Sequence, residues 1–509
     1  MRTTFKTNLR RCAAALIALV LLLPAGTASA ALEELEERVV EETLANGMRV
    51  IVLPRRQSPT VSLSMRFLVG SVEEEGGRTG LAHLLEHMLF KGTTTLGTRN
   101  WAMERPLRDR IEELAAALDG ERGKGEGASG ERVAALKEEL RRTREEARRF
   151  VVKDEIDAIY TAQGAQGFNA STGADLTTYT VSLPSNRVEL WARIESERLR
   201  DPVMREFYSE RDVVVEERLQ SFDTDPSRRL SALLFSTAFR AHPYRRPVIG
   251  WRGDVEDLRS GDALRFFRTW YTPGNAVLAA VGDVDPASFI ALLKKYFEPL
   301  PAQRADRRPI STEPEQRGER RALLHMDAQP EVMLAFHKPT LPHEDDYAFD
   351  LIDGLLAGGR TSRLYRRLVE EEGTAISVST SNGSPGARFP NLFVIRAVPR
   401  FPHSAAEVEE GILAELDRLA REDVSPGELA RVRNGLRASM IRGLQSNKGL
   451  AGTLSYFQSV AGDWRYVTTH LEVLGQITPA KVREAAARYL TAGNRTVVTL
   501  VTDRPEEGK

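Results

Sequence analysis

Apolar and polar positions along the chain fall into blocks, and the period within each block names an element. Val50–Leu53 and Val61–Val69 are apolar runs of strand length, and Asn46-Gly47 sets a tight turn before the first of them. Glycines then cluster at Gly76, Gly77 and Gly80, and a helical period begins near Leu81. From Met103 to Phe150 the period stays helical. Leu107, Ile111, Leu114 and Leu118 share one face, as do Val133, Leu136, Leu140 and Ala147, with the glycine-rich turn Gly120–Gly127 between them. The twelve acidic and twelve basic residues between Glu104 and Arg149 balance. The stretch reads as an antiparallel helical hairpin with one apolar seam, inserted at about residues 101–155, in preference to a dedicated binding arm.

Further along, Pro299, Pro301, Pro309 and Pro314 stand among charges without any apolar period, which predicts an interdomain linker at 301–321. The chain closes in the same way on each side of it. Leu264–Tyr271 leads through Pro273-Gly274-Asn275 into Ala276–Val281, and Val482–Tyr489 leads through Ala492-Gly493-Asn494 into Thr496–Val501. A helix ending in Tyr, a Gly-Asn turn and an apolar strand, met twice, predict a duplicated unit. The expected fold is α+β: two homologous domains, at 31–300 and 322–509, each a mixed β-sheet flanked by helices, with the hairpin inserted in the first.

Composition narrows the picture. A chain of 509 residues is too long for one core. A formal charge of −1 offers no basic excess for a nucleic-acid partner. Arg2, Lys6, Arg10 and Arg11, the apolar run Ala13–Ala25 and Ala28-Ser29-Ala30 together form a signal peptide over residues 1–30, in a run too short for a membrane anchor. Its removal takes away four basic residues and Cys12, the only cysteine, which excludes a disulfide scaffold and a cysteine enzyme. No later run is apolar for long enough to span a membrane, so an exported protein is expected, in the periplasm of a Gram-negative bacterium or in the medium.

Among only eight histidines the chain contains His83-Leu84-Leu85-Glu86-His87. On a helix, His83 and His87 project from one face a turn apart, within reach of one Zn²⁺. Glu86 flanks that face and is placed to take a proton from the attacking water. This is the inverted form of the commoner zinc-peptidase motif. A catalytic zinc needs a third protein ligand, and no other histidine has comparable surroundings, so a carboxylate is the better candidate. Glu210–Glu217 is acidic at both ends of a helical pattern; Glu210 and Glu217 share a face, and spacing alone leaves Glu216 and Glu217 both open.

These stretches resemble the pitrilysin–insulinase–mitochondrial processing peptidase family of zinc peptidases. The resemblance rests on Gly80–Thr93, Asn169–Thr172 and Glu210–Glu217, and extends through the Tyr-x-Pro-Gly-Asn turn and the duplicated layout. It implies that His83, His87 and Glu217 bind one Zn²⁺ per chain, that Glu86 is the general base, and that Glu210 supports the site from behind. It also implies that Asn169 and Ala170 lie on an edge strand that holds the backbone of a peptide substrate; the plainer reading of Asn169 is a turn residue.

Two departures stand out. His87 and Glu217 are 130 positions apart, about fifty more than the family's usual gap, an excess the hairpin accounts for. Family members that work as a single chain, and the partner subunits of two-chain members, carry an Arg and a Tyr seven apart in the C-terminal half to contact bound peptide, and the matching positions here are Val369 and Ile376. The resemblance therefore implies a second, homologous subunit that lacks the zinc motif and brings the Arg-Tyr pair. A non-catalytic scaffold subunit is the competing function, since the same fold also serves structural roles.

Overall fold

The computed structural model describes residues 35–302, 305 and 307–502; the expected signal peptide lies outside the described residues. Two mixed sheets organise the chain. The first joins β1 (Val40–Thr43), β2 (Arg49–Pro54), β3 (Thr60–Phe67), β4 (Gln166–Thr172), β5 (Thr177–Pro184) and β6 (Ala276–Gly282) in the order β1-β2-β6-β3-β5-β4. The second joins β7 (Arg320–Met326), β8 (Glu331–Lys338), β9 (Ala375–Ser384), β10 (Asn391–Pro399) and β11 (Arg495–Thr502) in the order β7-β11-β8-β10-β9. Without β1 the two orders superpose. β6 lies parallel to β2 and antiparallel to β3, and β11 lies parallel to β7 and antiparallel to β8. The repeated turn is the same at atomic level: the amide of Asn275 donates to Trp270 O at 2.8 Å, and that of Asn494 donates to Tyr489 O at 2.8 Å.

Between β3 and β4 the chain forms α1 (Leu81–Met88) and then the hairpin α2 (Trp101–Arg122) and α3 (Gly130–Arg148). α4 (Phe207–Arg218) and α5 (Pro226–Ala238) come after β5, and α6 (Asn447–Val460) precedes β11. Asn100 and Ser129 cap the two hairpin helices by accepting from Met103 N and Arg132 N. The seam closes as its spacing predicts. Leu114, Leu118 and Leu136 form a small core of their own with Val133 and Leu140, while Ile111, Ala115 and Ala147 at its base join the main core of the first half.

The two halves are interlocked. α5 buries Leu230, Leu234 and Ala238 against Met333, Ala335, Val498 and Leu500 of the second sheet. In return, Leu450, Ala451 and Leu454 of α6, with Trp464 and Val467, cover Ile51, Leu53, Val277, Ala279 and Val281 of the first. Each sheet is therefore covered on both faces, which is why β6 is apolar at every position and buried throughout. Ser455 on α6 adds hydrogen bonds to Ser64 Oγ and from Arg66 Nε, both 2.9 Å.

The expected linker 301–321 runs two residues too far, because β7 begins at Arg320 and pairs with β11 from there. Charge hid the strand. Arg320 and Arg321 read as linker residues, but Arg320 donates to Thr237 O and Arg321 pairs with Glu409 while their backbone enters the sheet.

The interlock makes a testable demand. Leu454→Ala, at a fully buried position, should lower unfolding stability by about 2–5 kcal/mol in chemical denaturation. A loss much smaller than this would mean that α6 is not part of the first sheet's core.

Candidate metal centre

α1 is helical because Leu81, Ala82, Leu84, Leu85 and Met88 make one buried stripe, which leaves His83, Glu86 and His87 on the other side. Its start is tightly constrained. Gly80 has φ 85°, and a Cβ there would lie 2.7 Å from Ile249 O. A Cβ on Gly250 would in turn lie 2.5 Å from Gly80 Cα, so two glycines let these backbones touch. The orphan N–H groups of the first turn are met from outside: Gly80 N donates to Glu74 Oε2 at 3.0 Å and Ala82 N to Glu74 Oε1 at 2.8 Å. Burial pushes the Glu74 carboxyl up to about 8, and these two donors oppose that shift.

α4 buries Phe207, Tyr208, Val214 and Arg218 and turns Glu210 and Glu217 towards α1. Glu217 Oε2 lies 3.9 Å from His83 Nε2 and 3.8 Å from His87 Nε2. One ligand atom from each of these three residues falls within 4.8 Å of the other two. Ligands about 2.1 Å from a tetrahedral zinc stand about 3.4 Å apart, so this set needs only a small contraction to hold one. The donor types, two imidazoles and a carboxylate, are those of a catalytic zinc with one open position. Glu216, the alternative left open by spacing, points away and accepts from Gln220 Nε2 at 2.5 Å.

The surrounding groups set the charges of these side chains. Burial, and then the neighbouring His87, hold His83 down at about 4, so its imidazole is neutral over the ordinary range, as a metal ligand must be. Burial also works to lower His87, but Glu210, Glu217 and Glu86 outweigh it, and the net shift is upward. Glu210 Oε2 lies 3.6 Å from His87 Nδ1, and its other oxygen pairs with Lys91 Nζ. Glu210 thus stands behind a histidine with its own charge met. Burial raises the Glu86 carboxyl, against a hydrogen bond of 2.5 Å from Thr172 Oγ1.

Thr172 ends β4, the outermost strand of the first sheet, and ties it to α1. Asn169 and Ala170 lie on this strand, paired with Thr180 and Tyr179 of β5. Asn169 is a strand residue with its side chain in solvent; Ala170 packs on the first core beside Phe168. Val369 packs against the second core, and Ile376 stands 47% exposed on β9, the outermost strand of the second sheet. Sequence reasoning gave no role to Glu74, Lys91 or Thr172. Lys91 and Thr172 fall inside the stretches that carry the resemblance, but Glu74 is one of three consecutive glutamates and no spacing marks it.

Residues 49–106 and 151–251 match the sequence profile described as insulinase, peptidase family M16, and residues 257–436 match that of the peptidase M16 inactive domain. The zinc protease PqqE of Helicobacter pylori is 27% identical over 417 residues, 81% of each chain. A zinc protease of Mycobacterium tuberculosis is 27% identical over 458 residues, 88% of this chain and 90% of its own. Among solved structures, a protease from Helicobacter pylori superposes with a TM-score of 0.75 at 25% identity, covering 91% of this chain and 99% of that one. The periplasmic protease PqqL from Escherichia coli gives 0.69 at 18% identity over 92% of this chain, which spans about half (48%) of that protein and shares its fold.

The contrast between the two histidines can be measured in the metal-free chain. Histidine NMR titration should place His83 at about 4 and His87 above the ordinary 6.5, so that only His87 is charged between those values. Glu210→Gln should bring the His87 titration down. Two coincident titrations at the ordinary value would contradict the asymmetry of the site.

Proposed function

Because this chain belongs to the insulinase family of peptidases, family M16, we propose that it is a zinc-dependent endopeptidase acting on short or unfolded polypeptides. The observation that carries the proposal is the convergence of His83, His87 and Glu217 within 4.8 Å, with Glu86 on the same helix. These three residues would hold one zinc ion per chain. When bound, zinc supplies Lewis-acid polarisation of the scissile carbonyl and makes water acidic enough to attack at neutral pH.

The rest of the work falls to the chain's own groups. An extended peptide adds to the open edge of β4, where the backbone around Asn169 and Ala170 offers hydrogen bonds and fixes the scissile bond near Glu86. A folded protein cannot present such a strand, hence the short or unfolded substrate. Glu86 takes the proton of the attacking water and passes it to the leaving amine; its raised pKa favours both halves of that task. Thr172 aims the Glu86 carboxylate, and Glu210 with Lys91 holds the ring of His87.

The proposal includes a partner. A peptide on β4 has polar groups on its outer side, and the oxyanion of the tetrahedral intermediate needs donors. Val369 and Ile376 offer none. A second subunit of the same fold, without the zinc motif and with an Arg and a Tyr seven apart, would supply them. The proposal also places the protein outside the cytoplasm, in the periplasm or the medium. Among the described residues no helix is long and apolar enough to cross a membrane, and the Escherichia coli neighbour is named a periplasmic protease.

Metal analysis tests the ligand set: Glu217→Gln should lose most of the zinc, while Glu216→Gln stays close to one ion per chain. The reverse would mean that Glu216 is the ligand. Glu86→Gln should keep zinc and fold and lose at least about a hundredfold in turnover, as is usual when a general base is removed. For the partner, the zinc-loaded chain is assayed alone on a quenched peptide library and again with the co-purified subunit. Cleavage by the isolated chain at ordinary enzyme rates would remove the need for a second subunit, and no cleavage in either state would favour a scaffold.

A further inference from the structure

The family profile matches 49–106 and 151–251 and passes over residues 107–150. The hairpin is thus added to the family's fold, and it is added between the two histidines and Glu217. We infer that α2–α3 is a clamp on the first turn of α4, and that Glu112, Arg144 and Arg148 are positioning residues for the metal centre. This rests on the zinc reading above only for its functional consequence; the clamp itself is a statement about the chain.

Apart from an ion pair of Asp119 with Arg259, the hairpin's polar side-chain contacts with the rest of the chain converge on one short stretch. Glu104 pairs with Arg205 at 2.8 Å and 3.2 Å, and Arg108 donates to Met204 O. Tyr208 donates its hydroxyl to Glu112 at 2.9 Å. Arg144 and Arg148 donate to Ser209 Oγ at 2.8 Å and 3.1 Å, and Arg148 also reaches Glu206 Oε1 at 3.2 Å. Apart from Phe207, which is buried in the main core, every residue from Met204 to Ser209 is held by the hairpin. Ser209 immediately precedes Glu210.

Two features oppose local preference, which is why the contacts carry weight. Arg144 and Arg148 sit at the N-terminal end of α4, where the helix dipole disfavours positive charge. Glu206 enters the helix at φ 58°, a left-handed conformation unfavourable for a residue with a Cβ. A free hairpin would relax both. Here the arginines are fixed by the hydroxyl of Ser209 and the carboxylate of Glu206, and the chain is held in its unusual turn as α4 begins.

Leverage makes this matter at the metal. Glu217 lies eight residues after Ser209, about 12 Å along the helix axis. A tilt of about 5° at the first turn would move it by about 1 Å, whereas metal–ligand distances tolerate only about 0.2 Å. Tyr208, Ser209 and Glu206 hold that angle, and the hairpin holds them.

The test compares two hairpin variants. Glu112→Ala/Arg144→Ala removes two clamp contacts; Glu138→Ala/Arg141→Ala removes an exposed pair that bonds only within the hairpin surface. Zinc affinity is read by competition with a chromogenic chelator, and amide hydrogen exchange of Phe207–Arg218 is read in the metal-free chain. The clamp variant should bind zinc at least about tenfold more weakly and exchange faster in α4, with the sheets unchanged; the control should match the parent in both. Equal zinc affinity and equal exchange in the two variants would overturn the inference. Should the double variant not fold, Tyr208→Phe removes one hydroxyl and gives the same comparison. A parent chain that binds no zinc would refute the metal reading and leave the exchange measurement to decide the clamp.

Discussion

Arg205 is a guanidinium with 0% exposure, and such a group survives only when its donors are met. It donates to Glu104 at the start of α2 and to the carbonyls of Lys91, Thr93 and Leu96, in the loop that leaves α1. Three parts of the chain are joined by that one requirement: the helix with the histidines, the base of the hairpin, and the residues that lead into α4. Breaking a pair so deeply buried costs about 3–5 kcal/mol, a large part of what holds a typical domain together. Meeting this charge ties together the segments that carry the two histidines and lead to Glu217, which are 130 positions apart at His87 and Glu217.

What the sequence showed depended on how local each interaction is. The His83–His87 face needs only helical spacing, and the repeated Gly-Asn turn needs only a match of residues, so both were visible. The choice between Glu216 and Glu217 was open to spacing and came from the resemblance alone, because it depends on how α4 is rotated against α1, with Val214 and Phe207 buried. The apolar faces of α5 and α6 announce burial without saying against which sheet, and each lies on the sheet of the other half. β7 was hidden by its leading arginines. Glu74 was hidden differently: a cap that reaches forward six and eight residues around a loop has no period to detect.

The duplication also explains how the first half can gather metal ligands where, among the described residues, the second half gathers no such group. The helix Glu344–Ala357 follows β8 as α1 follows β3. It keeps the tie to its outermost strand, with Asn382 of β9 donating to Asp350 at 2.8 Å where Thr172 of β4 donates to Glu86. On that alignment Tyr347 and Leu351, both buried in the core of the second half, stand where His83 and His87 stand in the first, and the neighbouring Asp346 closes a buried ion pair with Lys338. The framework is shared, and the chemistry differs by a few side chains on one helical face.

The reciprocal covering of the two sheets has a consequence for how the protein is made. The face built from Ile51, Leu53, Val277, Ala279 and Val281 is complete once β6 has been synthesised, but the residues that cover it begin at Leu450. At typical rates of translation the gap between them takes on the order of ten seconds. Throughout that time the first half presents a broad aliphatic surface to its surroundings, with neighbouring nascent chains as the nearest thing to stick to. The second half is needed for more than its own sheet: its last helices are the first half's missing lid, and a chain cut short before them would be a candidate for aggregation rather than a smaller working protein.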